Sequence, residues 1–170
     1  MEKILFVPNT ALRKKALSLK KITIKELDIS KRMIDIMIKA PGVGLAANQI
    51  GILKKIVTIH IHDETKKSDK IYSLFNPEII SYSKKKIIME EGCLSLPKQY
   101  ADIERPEEIT IQYLNEKNDK IEEKKTGFEA RVLQHEIDHL HGRLFVDYLS
   151  SLKRNILIKR VKKLIKLGEI

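Results

Sequence analysis

At 170 residues the chain is about one domain's worth, a size at which folding removes about 70% of the unfolded surface from water and a core forms without crosslinks. Hydrophobic residues at 42% and charged residues at 33% exclude a disordered chain, and no apolar run reaches the roughly 18 residues of a membrane span. Thirty-three Lys plus Arg against 23 Asp plus Glu, a net +10, give a general attraction to polyanions but name no reaction.

The opening apolar stretch Ile4-Leu5-Phe6-Val7 is too short for the core of an export signal. The single cysteine, Cys93, can form no internal disulfide, which points to a reducing compartment such as the cytoplasm. It is a small buried hydrophobe, a reactive thiol or a metal ligand. Between Pro8 and Leu27, the spacing of Leu12, Ala16 and Leu19 behind Asn9 or Thr10 predicts a short helix. From Ser30, read as a cap, Met33, Ile34, Met37 and Ile38 predict a second helix that Pro41 and Gly42 end. The stretch from Gly42 to Gly51, with three glycines and two alanines, has so little side-chain bulk that something must approach its backbone closely.

Ile56 to Ile61 reads as a buried strand, Asp63 to Lys70 as a polar loop, and Tyr72 to Phe75 as a short strand ended by Asn76-Pro77. Ile79 to Tyr82 and Ile87 to Met89 flank Lys84-Lys85-Lys86. Ile109, Ile111 and Tyr113 alternate toward a polar turn at Glu116 to Lys120 and a returning strand, so the middle reads as antiparallel hairpins. Helical periodicity returns from Phe128 to Leu140, with Leu133, Ile137 and Leu140 on one stripe and Val132 beside it, and again from Ser151 to Leu167. The fold class predicted is α+β: antiparallel sheets packed around a buried helix, residues 1–150, with a basic amphipathic C-terminal helix, 151–170, on the same domain.

The buried helix carries His135-Glu136-Ile137-Asp138-His139. Four residues turn through about 400°, so the two imidazoles stand about 40° apart and reach one ion. Glu136 lies about 100° away, placed to take a proton from water rather than to ligate. The third ligand decides the class. A protease signature continued through Gly142 demands histidine where Phe145 stands, and the only glutamate after His139 is Glu169, the penultimate residue. Upstream, Cys93 in Glu-Gly-Cys-Leu-Ser offers a thiolate that completes a Cys-His-His set. His60 and His62 alternate on a strand without a third partner, and His141 points away from His139.

The blocks Gly-Val-Gly-Leu-Ala-Ala-Asn-Gln, Glu-Gly-Cys-Leu-Ser and Gln-His-Glu-Ile-Asp-His-Leu, in that order, resemble the three signature motifs of the peptide deformylases. The likeness runs from Val7-Pro8 and Leu12-Arg13 to Phe145, Asp147 and Tyr148. It implies removal of the formyl group from N-formyl-methionine of nascent polypeptides, releasing formate. It assigns Cys93, His135 and His139 to one divalent metal, commonly Fe2+, with Zn2+, Co2+ or Ni2+ also suited to such donors. Glu136 becomes the proton carrier, and the Gln49 amide and the Leu94 N–H the donors to the oxyanion. Val43, Gly44 and Gly92 flank an extended peptide, and Phe128 and Val132 wall the methionine pocket with His135. Glu91 and Arg105 match a supporting ion pair. Arg131 is open between substrate contact and an ordinary salt bridge, while Asn48 and Tyr100 depart from some relatives. In related bacterial enzymes the C-terminal helix docks on the ribosome, the partner the resemblance extends to this basic helix. A general metallopeptidase and a basic RNA-associated protein with a structural metal are the competing classes.

Overall fold

In a computed structural model, residues 3–63 and 68–170 are described, so positions 64–67 of the predicted polar loop lie outside the described residues. The second predicted helix begins earlier than its apolar spacing implies. Thr23 and Glu26 form a reciprocal capping box that starts α1 (Ile24–Lys39). Ser30, expected as the cap, is buried inside the helix and donates its hydroxyl to Leu27 O. The helix predicted between Pro8 and Leu27 shrinks to one 3-10 turn, Thr10–Arg13. Beyond that turn the backbone is committed to distant partners, Ala16 N to Leu140 O and Leu17 N to Leu53 O, so no helical ladder forms.

Among the described residues seven strands follow: β1 (Gly44–Ala46), β2 (Ile56–Asp63), β3 (Ser68–Tyr82), β4 (Lys86–Cys93), β5 (Leu96–Pro106), β6 (Glu108–Leu114) and β7 (Lys120–Thr126). They form a five-stranded antiparallel sheet in the order β1-β2-β3-β6-β7 and a separate β4-β5 ribbon. Two expectations change here. Asn76-Pro77 does not end a strand but sits in an irregularity of β3, where Asn76 at φ 51 clasps Leu19 N and O with its side-chain amide. The segments either side of Lys84-Lys85-Lys86 do not pair with each other, because β3 and β4 belong to different sheets.

Helix α2 (Gly127–Leu140) sinks its apolar stripe, Ala130, Leu133, Ile137 and Leu140, onto Val57, Ile59, Leu74, Ile109 and Ile111 of the large sheet. Helix α3 (Ser151–Lys166), capped by Ser150, buries Leu157 and Val161 against Leu96, Ile103 and Phe145. A third cluster joins Met33 and Met37 of α1 to Leu45, Ile56 and Phe75. Each of these two fully buried methionines contributes about 2 kcal/mol. Cys93 packs against the second cluster and Leu94 against the third, while α2 belongs to the first. The three apolar clusters therefore converge where the sequence placed its chemistry.

Candidate active site

Strand β4 pairs regularly with β5 from Lys86 to Gly92, and the register shifts between Gly92 and Cys93. Such an irregularity re-aims a side chain, here toward α2. The Cys93 sulfur and one ring nitrogen each from His135 and His139 lie within 4.8 Å of one another, and Cys93 Sγ is 3.2 Å from His139 Nε2. Donors sharing a tetrahedral cation at bonds of 2.0–2.3 Å stand about 3.5 Å apart, so a thiolate and two imidazoles at this spacing fit one divalent metal. Burial lowers the His135 pKa, but its hydrogen bonds with Cys93 and Glu91 raise it well above the ordinary histidine range, whereas His139 is pushed well below that range by burial and then by the charges of His135 and Arg105.

Glu91 aims the other ring. Its Oε2 lies 2.9 Å from His135 Nδ1, which turns Nε2 toward the sulfur and His139. Burial raises the Glu91 carboxyl, but hydrogen bonds from His135 and Arg105 and the Arg105 charge outweigh it and hold it at about 2. Arg105 is bidentate to Glu91 at 2.6 and 3.0 Å and also donates to Asp138 Oδ2 and Tyr148 Oη. Arg131 is a buried salt-bridge residue at the cleft wall: it donates to Glu91 Oε1, Ile103 O and Ile87 O, stitching β4 and β5 to α2. Asp138 and Tyr148 are members of this network that sequence reasoning missed. Asp138 stands inside the histidine motif and Tyr148 inside the family likeness, so both were within reach.

Glu136 is 4% exposed, and its Oε2 has no hydrogen-bond partner. Burial pushes its carboxyl up to about 7 against the opposing charge of His135. A carboxylate tuned there accepts and returns a proton near neutral pH. Gly44 makes room for it: a Cβ at that position would lie 2.5 Å from Glu136 Oε1. The spareness of this loop thus serves an enzyme carboxylate at close quarters. Gln49 is oriented by its own turn, for Oε1 accepts the Ala46 N–H at 2.8 Å. Its Nε2 must then face Ser95 Oγ at 3.2 Å and Cys93 Sγ at 3.6 Å. Asn48 ties the end of α2 by donating to His139 O.

A cleft of about 520 Å³ opens beside these groups. Val132, His135 and Glu136 are its buried floor, and Val43, Tyr100 and Phe128 its exposed mouth. One wall is β1, the edge strand of the large sheet, and the other is the end of β4, with Gly92, Cys93 and Leu94. An open strand edge on a cleft is a template for an extended peptide. His60 and His62 instead share Asp69, and His141 Nδ1 meets Ile137 O, so none of the three joins the cluster.

A buried carboxylate beside a Cys-His-His cluster able to hold a metal, at the foot of a cleft bordered by an open strand edge, defines a metallohydrolase. A family model described as polypeptide deformylase matches residues 1–155. Peptide deformylase from Rickettsia typhi is 41% identical over 165 residues, 95% of this chain and 94% of that protein. A crystal structure of peptide deformylase from Ehrlichia chaffeensis superposes with TM-score 0.94 at 34% identity, covering 100% of this chain and 99% of that one. A second from the same organism, in complex with actinonin, gives TM-score 0.90 at 35% identity over 96% of each chain. The chain belongs to the peptide deformylase family, hydrolases acting on the N-formyl amide bond.

Proposed function

We propose that this chain removes the formyl group from N-formyl-methionine at the start of nascent polypeptides, and that Glu136 carries the proton. The supporting observation is the Glu136 carboxylate beside Cys93, His135 and His139, with its Oε2 free of any hydrogen-bond partner, buried at the floor of the cleft under β1. A cation held by those three residues would supply Lewis acidity at the formyl group and acidify the attacking water. Glu136 takes a proton from that water as oxygen attacks the formyl carbon, then hands it to the departing amine nitrogen, leaving formate and a free N-terminus. Charge developing on the former carbonyl oxygen is met by Gln49 Nε2, its amide oxygen already engaged by Ala46, and by the Leu94 N–H next to the sulfur.

The peptide adds as a strand between Val43-Gly44 and Gly92, and its methionine side chain fills the apolar pocket of Phe128 and Val132. Fe2+ is the resident ion in this reading, with Zn2+, Co2+ and Ni2+ as substitutes the donor set accepts. The enzyme works in the cytoplasm, consistent with a lone cysteine that serves as a ligand. Among the described residues no helix is long and apolar enough to cross a membrane. The ribosome is the partner proposed for α3, whose Lys153, Lys159, Arg160, Lys162, Lys163 and Lys166 are all exposed. Reversing those charges should abolish co-pelleting with ribosomes at low salt; unchanged recovery would remove the partner.

The deciding experiment measures formate release from formyl-Met-Ala-Ser by metal-loaded protein, with metal analysis on the same sample. Glu136→Ala should lower turnover by about 10²–10⁴ with metal content retained, and actinonin, bound by the Ehrlichia protein, should compete with substrate. Internal peptide cleavage without formate would overturn the reading.

A further inference from the structure

Gly92 and Tyr100 are register partners across the β4-β5 ribbon, and both line the cleft. A Cβ added at Gly92 would lie 2.6 and 2.8 Å from Cε1 and Cδ1 of the Tyr100 ring. The ring therefore rests on the bare backbone of Gly92, one residue before the metal-binding sulfur. It is nonetheless 62% exposed, the most open of the apolar residues around the mouth. One side of the ring is seated on main chain and the rest faces the cleft mouth and solvent. An aromatic ring held in this way is a contact surface ready before any ligand arrives, so little conformational freedom is lost when something packs on it.

We infer that Tyr100 is a specificity-determining residue for the side chain that follows the methionine of the substrate, favouring apolar and aromatic residues there. The inference rests on the deformylase reading above. Val132 and His135 take up the floor of the cleft, 5% and 7% exposed, so the methionine side chain is accommodated deep. In an extended chain the next side chain lies about 3.3 Å further along and projects to the opposite side, away from the floor and toward the mouth. Tyr100 is the ring offered at that level on the β4 wall. The phenol is not needed for this contact: what matters is the flat apolar area, and the bare Gly92 backbone fixes where it stands. Gly92 is thus required by the tyrosine as well as by the peptide.

The test measures kcat and KM for formyl-Met-X-Ser peptides with X as Gly, Leu, Phe and Asp, using wild-type protein, Tyr100→Ala and Tyr100→Phe. The wild-type protein should prefer Phe and Leu over Gly and Asp. In Tyr100→Ala the ratio of kcat/KM for X = Phe to that for X = Gly should fall about fivefold, the loss residing in KM, as removal of an aromatic contact predicts. Tyr100→Phe should keep the wild-type ratio. Gly92→Ala, which forces the ring from its seat, should lower the same ratio by the other route. Ratios equal to wild type in Tyr100→Ala, with formate still released, would overturn the assignment and leave the deformylase reading intact. Absence of formate release from every peptide by wild-type protein would overturn that reading and this assignment with it.

Discussion

A methyl group at position 44 would collide with three atoms of the Glu136 side chain, at 2.5 to 2.9 Å. Glycine there is a condition on the Glu136 side chain more than on the backbone. Gly44→Ala should therefore lower kcat by about tenfold or more through a displaced carboxylate, with metal content unchanged, as steady-state kinetics with metal analysis would read. Gln49→Glu is a second probe at this scale. It places a carboxylate against the thiolate and the developing oxyanion and should remove about 10²–10³ of turnover in fully metallated protein. A near wild-type rate with metal in place would end the donor role. The residues carrying both predictions were legible as spacing and resemblance: two imidazoles a turn apart, a glutamate beside them, one thiol, one glutamine. Arg131 was not legible, because helical periodicity alone left it free to face substrate, solvent or Glu91. Only the assembled hairpin decides, by supplying Ile87 O and Ile103 O as acceptors.

Among the elements, α2, α3 and β6 followed from periodicity, since each buries a regular stripe or alternates cleanly, and β7 followed as the strand returning from the polar turn after β6. Strand β5 stayed hidden because two of its buried positions are polar, Gln99 and Arg105, so its inward face does not read as apolar. The start of α1 was misplaced although Thr23-x-x-Glu26 was present, because the apolar rhythm becomes regular only after Ser30. That capping box carries a pH signature. Hydrogen bonds from Lys54 and Thr23 hold Glu26 at about 2, below its ordinary 4.5. A carboxyl with a depressed folded-state pKa stabilises the fold fully above its ordinary value, and that contribution is lost as pH falls through 4.5 toward 2. Glu26→Gln should cost about 1 kcal/mol at pH 7, reduced by solvent around the half-exposed Lys54, and should flatten the acid limb of stability between pH 5 and 2. Denaturant melts of both proteins across that range would read it.

At the scale of the whole molecule the metal donors come from separate constructions. The sulfur ends a strand of the small ribbon, and the imidazoles stand on a helix whose stripe belongs to the large sheet. A cation bound only by the folded state adds about 2.7 kcal/mol at a hundredfold excess over its Kd, roughly 5–10 °C in Tm for a chain of this size. Chelation should lower the melting temperature by that margin and readdition restore it, while Cys93→Ser should blunt the response; a chelator-insensitive melt would mean that the ion is not shared between the two layers. The ribbon is fastened to α2 mainly by arginines, through Arg105 with Asp138 and Arg131 with Ile87 and Ile103. Loss of activity on storage then requires no global unfolding. If those few latches let the ribbon swing outward, the sulfur parts from the imidazoles while the large sheet stays intact. Added ion pairs between ribbon and α2 should therefore slow release of the ion to a chelator more than added core volume does, a difference that the rate of metal loss on storage would read.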